Sequence, residues 1–182
     1  MDTKIQTYTG EFFDFSKPHP DMVNIWDIAH SLSNSCRFGG HTIHFYSVAE
    51  HSIILSNIVE DKDKLWALLH DATEAYIKDI PRPLKFYLGD TMKELERNVL
   101  EAIKKKYGLT GDIPNKVNEL DIYMLFWEAQ SVMQHKLWES NPEEHMAEKS
   151  YKLFEGVERP KFLPPEKAEA EFLMVFKQLT KQ

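Results

Sequence analysis

The chain has 182 residues, 42% of them hydrophobic and 28% charged, with a formal net charge of −7. That length suits one domain with a sizeable core, and residues 1–182 are read as a single domain. The acidic balance argues against a surface that tracks nucleic-acid phosphates. The lone Cys36 excludes an internal disulfide framework and a cysteine-based zinc site, and no apolar stretch approaches the length of a membrane span.

The start, Met1 to Gln6, is polar and charged, unlike a secretory leader, which makes the cytoplasm the default location. A compact anionic ligand stays compatible with the charge, because a metal and a few local cations can offset it. Cys36 is read as a small buried hydrophobe.

Ile5 to Phe15 reads as a short hairpin with β-formers on both sides of a Thr9-Gly10 turn. Pro18 and Pro20 end it. Ile25 to Cys36, with Ile25, Ile28, Ala29 and Leu32 at helical spacing, follows as a helix. Phe45 to Val59 and Lys64 to Tyr76 repeat the pattern on either side of the charged turn Glu60 to Asp63. Pro81 and Pro83 break the second of these. Further helices are expected from about Thr91 to Tyr107, stopping at Gly108, from Pro114 to about His135, and from Glu166 to Lys181. Asn141 to Pro165, with four prolines, reads as mixed loop and helix, and Glu139 to Glu148 as a solvated acidic run. The chain is therefore expected to be all-α apart from the hairpin, and Gly is too scarce for a phosphate-cradling loop.

Chemistry concentrates in Leu65-Trp66-Ala67-Leu68-Leu69-His70-Asp71-Ala72-Thr73-Glu74-Ala75-Tyr76. His70, Asp71 and Glu74 sit three or four positions apart inside an apolar helix, where charge is costly unless paired or bound to a metal. His51 lies one helix earlier. If the two helices pack antiparallel, it faces His70 and Asp71. Asp121 is the leading fourth ligand, with Glu119 as substitute, and His41, His44 and His51 form a rival set. The Gly39-Gly40 loop beneath His41 and His44 favours contact with substrate or solvent. Two imidazoles and two carboxylates suit Zn²⁺, Mn²⁺, Co²⁺ or Fe²⁺. Such a site can lower the pKa of a bound water, and Glu74 is placed to move a proton.

The order His51, His70-Asp71, Asp121 resembles the His…His-Asp…Asp signature of the HD-domain phosphohydrolases. Ser47-Val48-Ala49-Glu50-His51-Ser52, Leu69-His70-Asp71-Ala72-Thr73-Glu74, Asp79-Ile80-Pro81-Arg82-Pro83-Leu84-Lys85 and Cys36-Arg37-Phe38 resemble the 5′-deoxynucleotidase branch, over roughly residues 21 to 135. Thr7-Tyr8-Thr9-Gly10, Asp27-Ile28-Ala29-His30-Ser31-Leu32 and Arg37-Phe38 look like phage enzymes that hydrolyse dATP to deoxyadenosine and triphosphate.

The resemblance implies an HD helical bundle in which His51, His70, Asp71 and Asp121 hold a transition metal (Zn, Co or Mn), with additional Mg²⁺ beside it. It makes Glu74 the catalytic acid–base group. Asp79 would hold the sugar 3′-hydroxyl, Arg37 and Lys85 would contact phosphate, and Phe38 and Pro83 would line the pocket for base or sugar. Phe38 stands where relatives carry Trp. A homo-oligomer, dimer or hexamer, is expected, with a small deoxynucleotide as substrate and neither nucleic acid nor membrane as partner. The favoured reaction is dATP triphosphate hydrolysis; a 5′-deoxynucleotidase acting on monophosphates is the alternative, and a nucleotide-binding regulator without turnover is the second. Extra cations such as Arg82 or Lys78 would favour the longer substrate. Plainer readings are an N-cap for Asp121, a turn residue for Asp79 and surface charge for Arg37 and Lys85. Phe45-Tyr46 and Met124 to Trp127 read as core, and Phe172, Leu173, Val175, Phe176 and Leu179 as a face for core or interface.

Overall fold

A computed structural model describes residues 3–134 and 144–181. The expected hairpin is present: β1 (Lys4–Gln6) pairs antiparallel with β2 (Phe12–Asp14), placing Ile5 opposite Phe13. Its turn is anchored on the helix that follows, because Asp27 accepts from the Thr9 backbone N–H at 2.7 Å and from the Thr9 hydroxyl at 2.9 Å.

Helices make up the rest of the regular structure: α1 (Ile25–Ser33), α2 (Val48–Ile58), α3 (Lys64–Leu69), α4 (Glu74–Ile77), α5 (Arg82–Leu88), α6 (Asp90–Tyr107), α7 (Asn115–Val132), α8 (Glu144–Leu153) and α9 (Pro165–Leu179). The expected helical end at His135 and the part of the acidic run at 139–143 lie outside the described residues. No helix among the described residues is long and apolar enough to cross a membrane.

Two apolar clusters organise the packing. One joins Phe13, Ile28, Leu32, Val48, Leu68, Val99 and Phe172. The other joins Leu55, Trp66, Val117, Leu120, Met124 and Trp127. Residues of α2 and α3 enter both, so these two helices form the seam on which the site is built. The α9 face is core: Phe172 is buried, and Leu173, Val175, Phe176 and Leu179 pack against the first cluster.

Several expected boundaries differ, each for a physical reason. α2 starts three residues later than its apolar pattern, because the Ser47 hydroxyl caps it by accepting from the Glu50 N–H at 3.1 Å. Phe45 and Tyr46 instead run extended. The Arg37 N–H donates to the Tyr46 carbonyl at 2.9 Å and the Val48 N–H to the Ser35 carbonyl at 3.0 Å, around a bridge between Cys36 and Ser47. Extended backbone alternates its side chains. Ser35 and Arg37 point inward and Cys36 is exposed, which corrects its reading as a buried hydrophobe.

The helix expected across Lys64 to Tyr76 is broken after Leu69. The N–H groups of Ala72, Glu74, Ala75 and Tyr76 bond three residues back instead of four, a tightened turn. The pair Pro81 and Pro83 does not exclude a helix either. They stand at the cap and second position of α5, where a missing N–H costs nothing. No residue of α5 is buried, and Phe86 and Tyr87 are 86% and 85% exposed.

Candidate metal centre

The tightened turn after α3 presents His70 and Asp71 towards α2. His51, in the first turns of α2, and Asp121, in the second turn of α7, face them. The Nε2 atoms of His51 and His70 are 3.3 Å apart. Asp121 Oδ1 lies 3.2 Å from His51 Nε2 and 3.8 Å from His70 Nε2. Asp71 Oδ2 lies 3.1 Å from His70 Nε2 and 3.6 Å from His51 Nε2. His51, His70 and Asp121 each offer a ligand atom, all within 4.8 Å of one another.

The tautomers bear on whether a cation fits. His51 Nδ1 is 2.7 Å from a Glu128 carboxylate oxygen, and His70 Nδ1 is 2.7 Å from the Ala67 carbonyl. Both partners only accept, so both Nδ1 atoms carry hydrogen. In their neutral forms the two Nε2 lone pairs then face each other across 3.3 Å, and a proton or a cation relieves the repulsion. Two nitrogens bound to one ion at about 2.1 Å stand roughly 3.0 to 3.4 Å apart at angles between octahedral and tetrahedral. The donor set, two imidazoles beside carboxylates, fits a divalent transition metal.

The electrostatics point the same way. Burial and Arg37 oppose a charge on His51, but Glu128 and Asp121 outweigh them and raise its pKa. Burial likewise opposes charge on His70, and the carboxylates of Asp71 and Asp121 raise it well above the ordinary imidazole value. Burial would raise Asp71 too, yet the adjacent His70 pulls it down to about 2. Asp121 also falls, against burial, through its hydrogen bonds to the two imidazoles. The cluster is thus a buried concentration of negative charge awaiting positive charge.

Over it opens a cavity of about 520 Å³ lined by Arg37, Phe38, His41, Asp71, Glu74, Asp79, Pro83, Lys85 and Asp121, together with Arg82, Leu125 and Met133. Sequence-derived candidates from five segments therefore converge on one place, with His51 and His70 beside them in the cluster. Of the rival histidines, His41 lines this cavity, whereas His44 packs edge-on against Phe162.

Glu74 is 6% exposed. Burial, then the charges of Asp71 and Asp79, push its carboxyl up to about 8 against the pull of Lys85 and Arg37. Its Oε1 accepts from Lys85 Nζ at 3.3 Å, while Oε2 has no hydrogen-bond partner among the described residues. Burial raises Asp79 as well. The residue between them, Lys78, adopts φ 83°, a left-handed value that side chains resist, and this turn carries the chain from α4 to Asp79. Phe38, at φ 54°, turns the chain in the same way beside Arg37. Arg37 and Lys85 already face carboxylates: Arg37 meets Glu128 at 3.0 Å and Asp71 at 3.6 Å, and Lys85 meets Glu96 at 2.8 Å.

Two buried acids escaped the sequence reading. Glu128 lies fully buried beneath the cluster. Its signal was an acid seven residues after Asp121, on the same helix face, within an otherwise apolar run. Glu50, next to His51, accepts from the backbone N–H groups of Lys161 at 2.6 Å and Leu163 at 2.9 Å, tying the chain before α9 to α2. Nothing local in the sequence marks that partnership.

Fold and site thus define a mostly helical protein with a buried His–His–Asp cluster able to hold a metal ion. Compared with known proteins, the chain is 44% identical over 128 residues to the Escherichia coli (strain K12) protein named "Uncharacterized protein YfdR", a match covering 70% of this chain and 71% of YfdR. The chain belongs to the family of YfdR. It is also 33% identical over 115 residues to "Uncharacterized protein RCAP_rcc00048" of Rhodobacter capsulatus, covering 58% of this chain and 59% of that one. No family model matches the sequence.

Proposed function

We propose that this protein is a metal-dependent phosphohydrolase of the HD superfamily that acts at the 5′ position of a deoxynucleotide, with dATP as the favoured substrate and deoxyadenosine and triphosphate as products. The observation that carries this reading is the meeting of the His–His–Asp cluster with Glu74 and Asp79 in one cavity of about 520 Å³, a size within the range of small-molecule sites. His51, His70, Asp71 and Asp121 would hold the ion. A divalent cation there supplies Lewis acidity at the phosphorus and acidifies water.

The remaining chemistry belongs to the chain. Glu74 has its free oxygen in the cavity and a carboxyl poised near neutrality, suited to take a proton from the attacking water or return one to the leaving 5′ oxygen. Asp79 accepts from the sugar 3′-hydroxyl. Phe38 and Pro83 offer apolar walls to the base and sugar. Arg37 and Lys85, and Arg82 at the same cavity, balance phosphate charge.

One observation favours the second reading, a 5′-deoxynucleotidase. Arg37 and Lys85 are already engaged by carboxylates, which suits a shorter phosphate chain. The test is a substrate screen of the purified protein with Co²⁺, Mn²⁺ or Zn²⁺ and Mg²⁺, against all deoxynucleoside mono- and triphosphates plus ATP. Deoxyadenosine with triphosphate from dATP is the expected result. Nucleoside and phosphate from monophosphates alone selects the second reading. Nucleotide binding without turnover under any metal overturns both in favour of a regulator.

A further inference from the structure

We infer that Glu128 is the positioning residue that fixes the His51 imidazole for cation binding, and that Tyr46 and Arg37 hold Glu128 in place to do so. The inference rests on the reading of the cluster as a metal centre.

Glu128 is 0% exposed and sits on α7 between Trp127 and Ala129. A carboxylate in such surroundings is costly unless every lone pair it turns inward is satisfied, and an apolar residue of like size would pack there more cheaply. All of its partners are themselves buried. One oxygen accepts from His51 Nδ1–H at 2.7 Å and also takes a very short hydrogen bond from the Tyr46 hydroxyl. The other accepts from Arg37 Nη2 at 3.0 Å. Burial opposes its charge, but Arg37 and His51 hold the carboxyl below the usual glutamate range.

Balancing the charge of Arg37 does not account for this arrangement. Arg37 has a second carboxylate, Asp71, at 3.6 Å. Tyr46 has no charge to balance, yet its hydroxyl is directed at the same oxygen that meets His51. That oxygen is held from two sides, and the imidazole is thereby fixed in the Nδ1–H tautomer with its Nε2 lone pair towards His70 and Asp121. Outer carboxylates of this kind orient metal-binding histidines in general. The two imidazoles here are set by different devices. His70 donates to the Ala67 backbone carbonyl, which no substitution removes, whereas His51 depends on one side chain that can be changed. The asymmetry makes the role separable.

The experiment titrates Zn²⁺ or Co²⁺ into metal-free wild type, Glu128→Gln, and the charge-balanced pair Arg37→Gln with Glu128→Gln, by calorimetry. The imidazole nitrogens of the metal-free proteins are read in parallel by ¹H–¹⁵N NMR. Glu128→Gln is expected to weaken cation binding by about 10- to 100-fold and to mix the His51 tautomers while leaving His70 as Nδ1–H. The charge-balanced pair is expected to stay at least about tenfold weaker than wild type. Wild-type affinity and an unchanged His51 signal in that pair overturn the inference, because charge balance alone would then explain Glu128. Should either Glu128 variant fail to fold, Tyr46→Phe removes one anchor at constant charge. It is expected to weaken binding several-fold, and an unchanged affinity with an unchanged His51 resonance overturns the inference instead. A wild type that binds no cation, with its His51 tautomer intact, sinks the metal reading and with it the proposed function, an outcome distinct from failure of the Glu128 role.

Discussion

Replacing Glu74 by Gln should make the metal-free protein more stable than wild type in alkali, by a margin that vanishes in acid. Burial and the neighbouring Asp71 and Asp79 raise the Glu74 carboxyl from 4.5 to about 8 in the folded chain. Between those values the folded state binds more protons than the unfolded state. The stabilisation from Glu74 is therefore complete below 4.5 and is lost as pH climbs through about 8. At about 1.4 kcal/mol per pH unit, the full interval sets a ceiling of roughly 5 kcal/mol. For a chain of this size each kcal/mol moves the melting temperature by about 2 to 4 °C. Gln cannot ionise and escapes the decline. Thermal unfolding of both proteins in chelator from pH 4 to 9 checks this, and the difference between the two curves cancels the titrations they share. Parallel curves would show that Glu74 is not held protonated by its surroundings, and its part in moving protons would lose its physical basis. With cation and substrate present, the same variant should lower turnover by about 10² to 10⁴ while still binding the ion.

Added Zn²⁺ or Co²⁺ at a hundred times its Kd should stabilise wild type by about 2.7 kcal/mol, and His70→Ala or Asp121→Asn should erase that gain in a thermal-shift assay. Cation affinity should fall as pH drops, because both imidazoles are raised above 6.5 and must release protons to bind; calorimetry at pH 6 and 8 reads it. Arg37→Met should cost about 3 to 5 kcal/mol in denaturant unfolding, because it strips a buried carboxylate of its partner. Lys78→Gly should gain about 1 kcal/mol by the same measurement, because glycine adopts φ 83° without strain.

Much of the site was legible because its residues break a strong pattern. His51 interrupts the apolar face of α2, and His70, Asp71 and Glu74 interrupt that of the next segment, so their cost of burial announced a purpose. Asp121 and Asp79 were legible through spacing and local context. What stayed hidden depends on groups distant in sequence. The break after Leu69 has no Gly or Pro to mark it; the His70 ring and the tightened carbonyl partners replace regular helix bonds there. Pro81 and Pro83 were taken as breakers because the same residue ends one helix and starts another. Cys36 is turned outward by a two-residue bridge to Ser47, a pairing that composition does not reveal. Glu128 looked like an isolated acid in a core run because its partners, Tyr46, His51 and Arg37, lie 77 to 91 positions earlier.

That separation also sets an order of events during synthesis. His51, His70 and Asp71 leave the ribosome well before Asp121 and Glu128, so a nascent chain carries the two imidazoles without the acid that completes their cluster or the one that orients His51. The centre comes into being only when α7 docks on α2, and a cation captured there would mark a chain whose middle and later segments have already found each other.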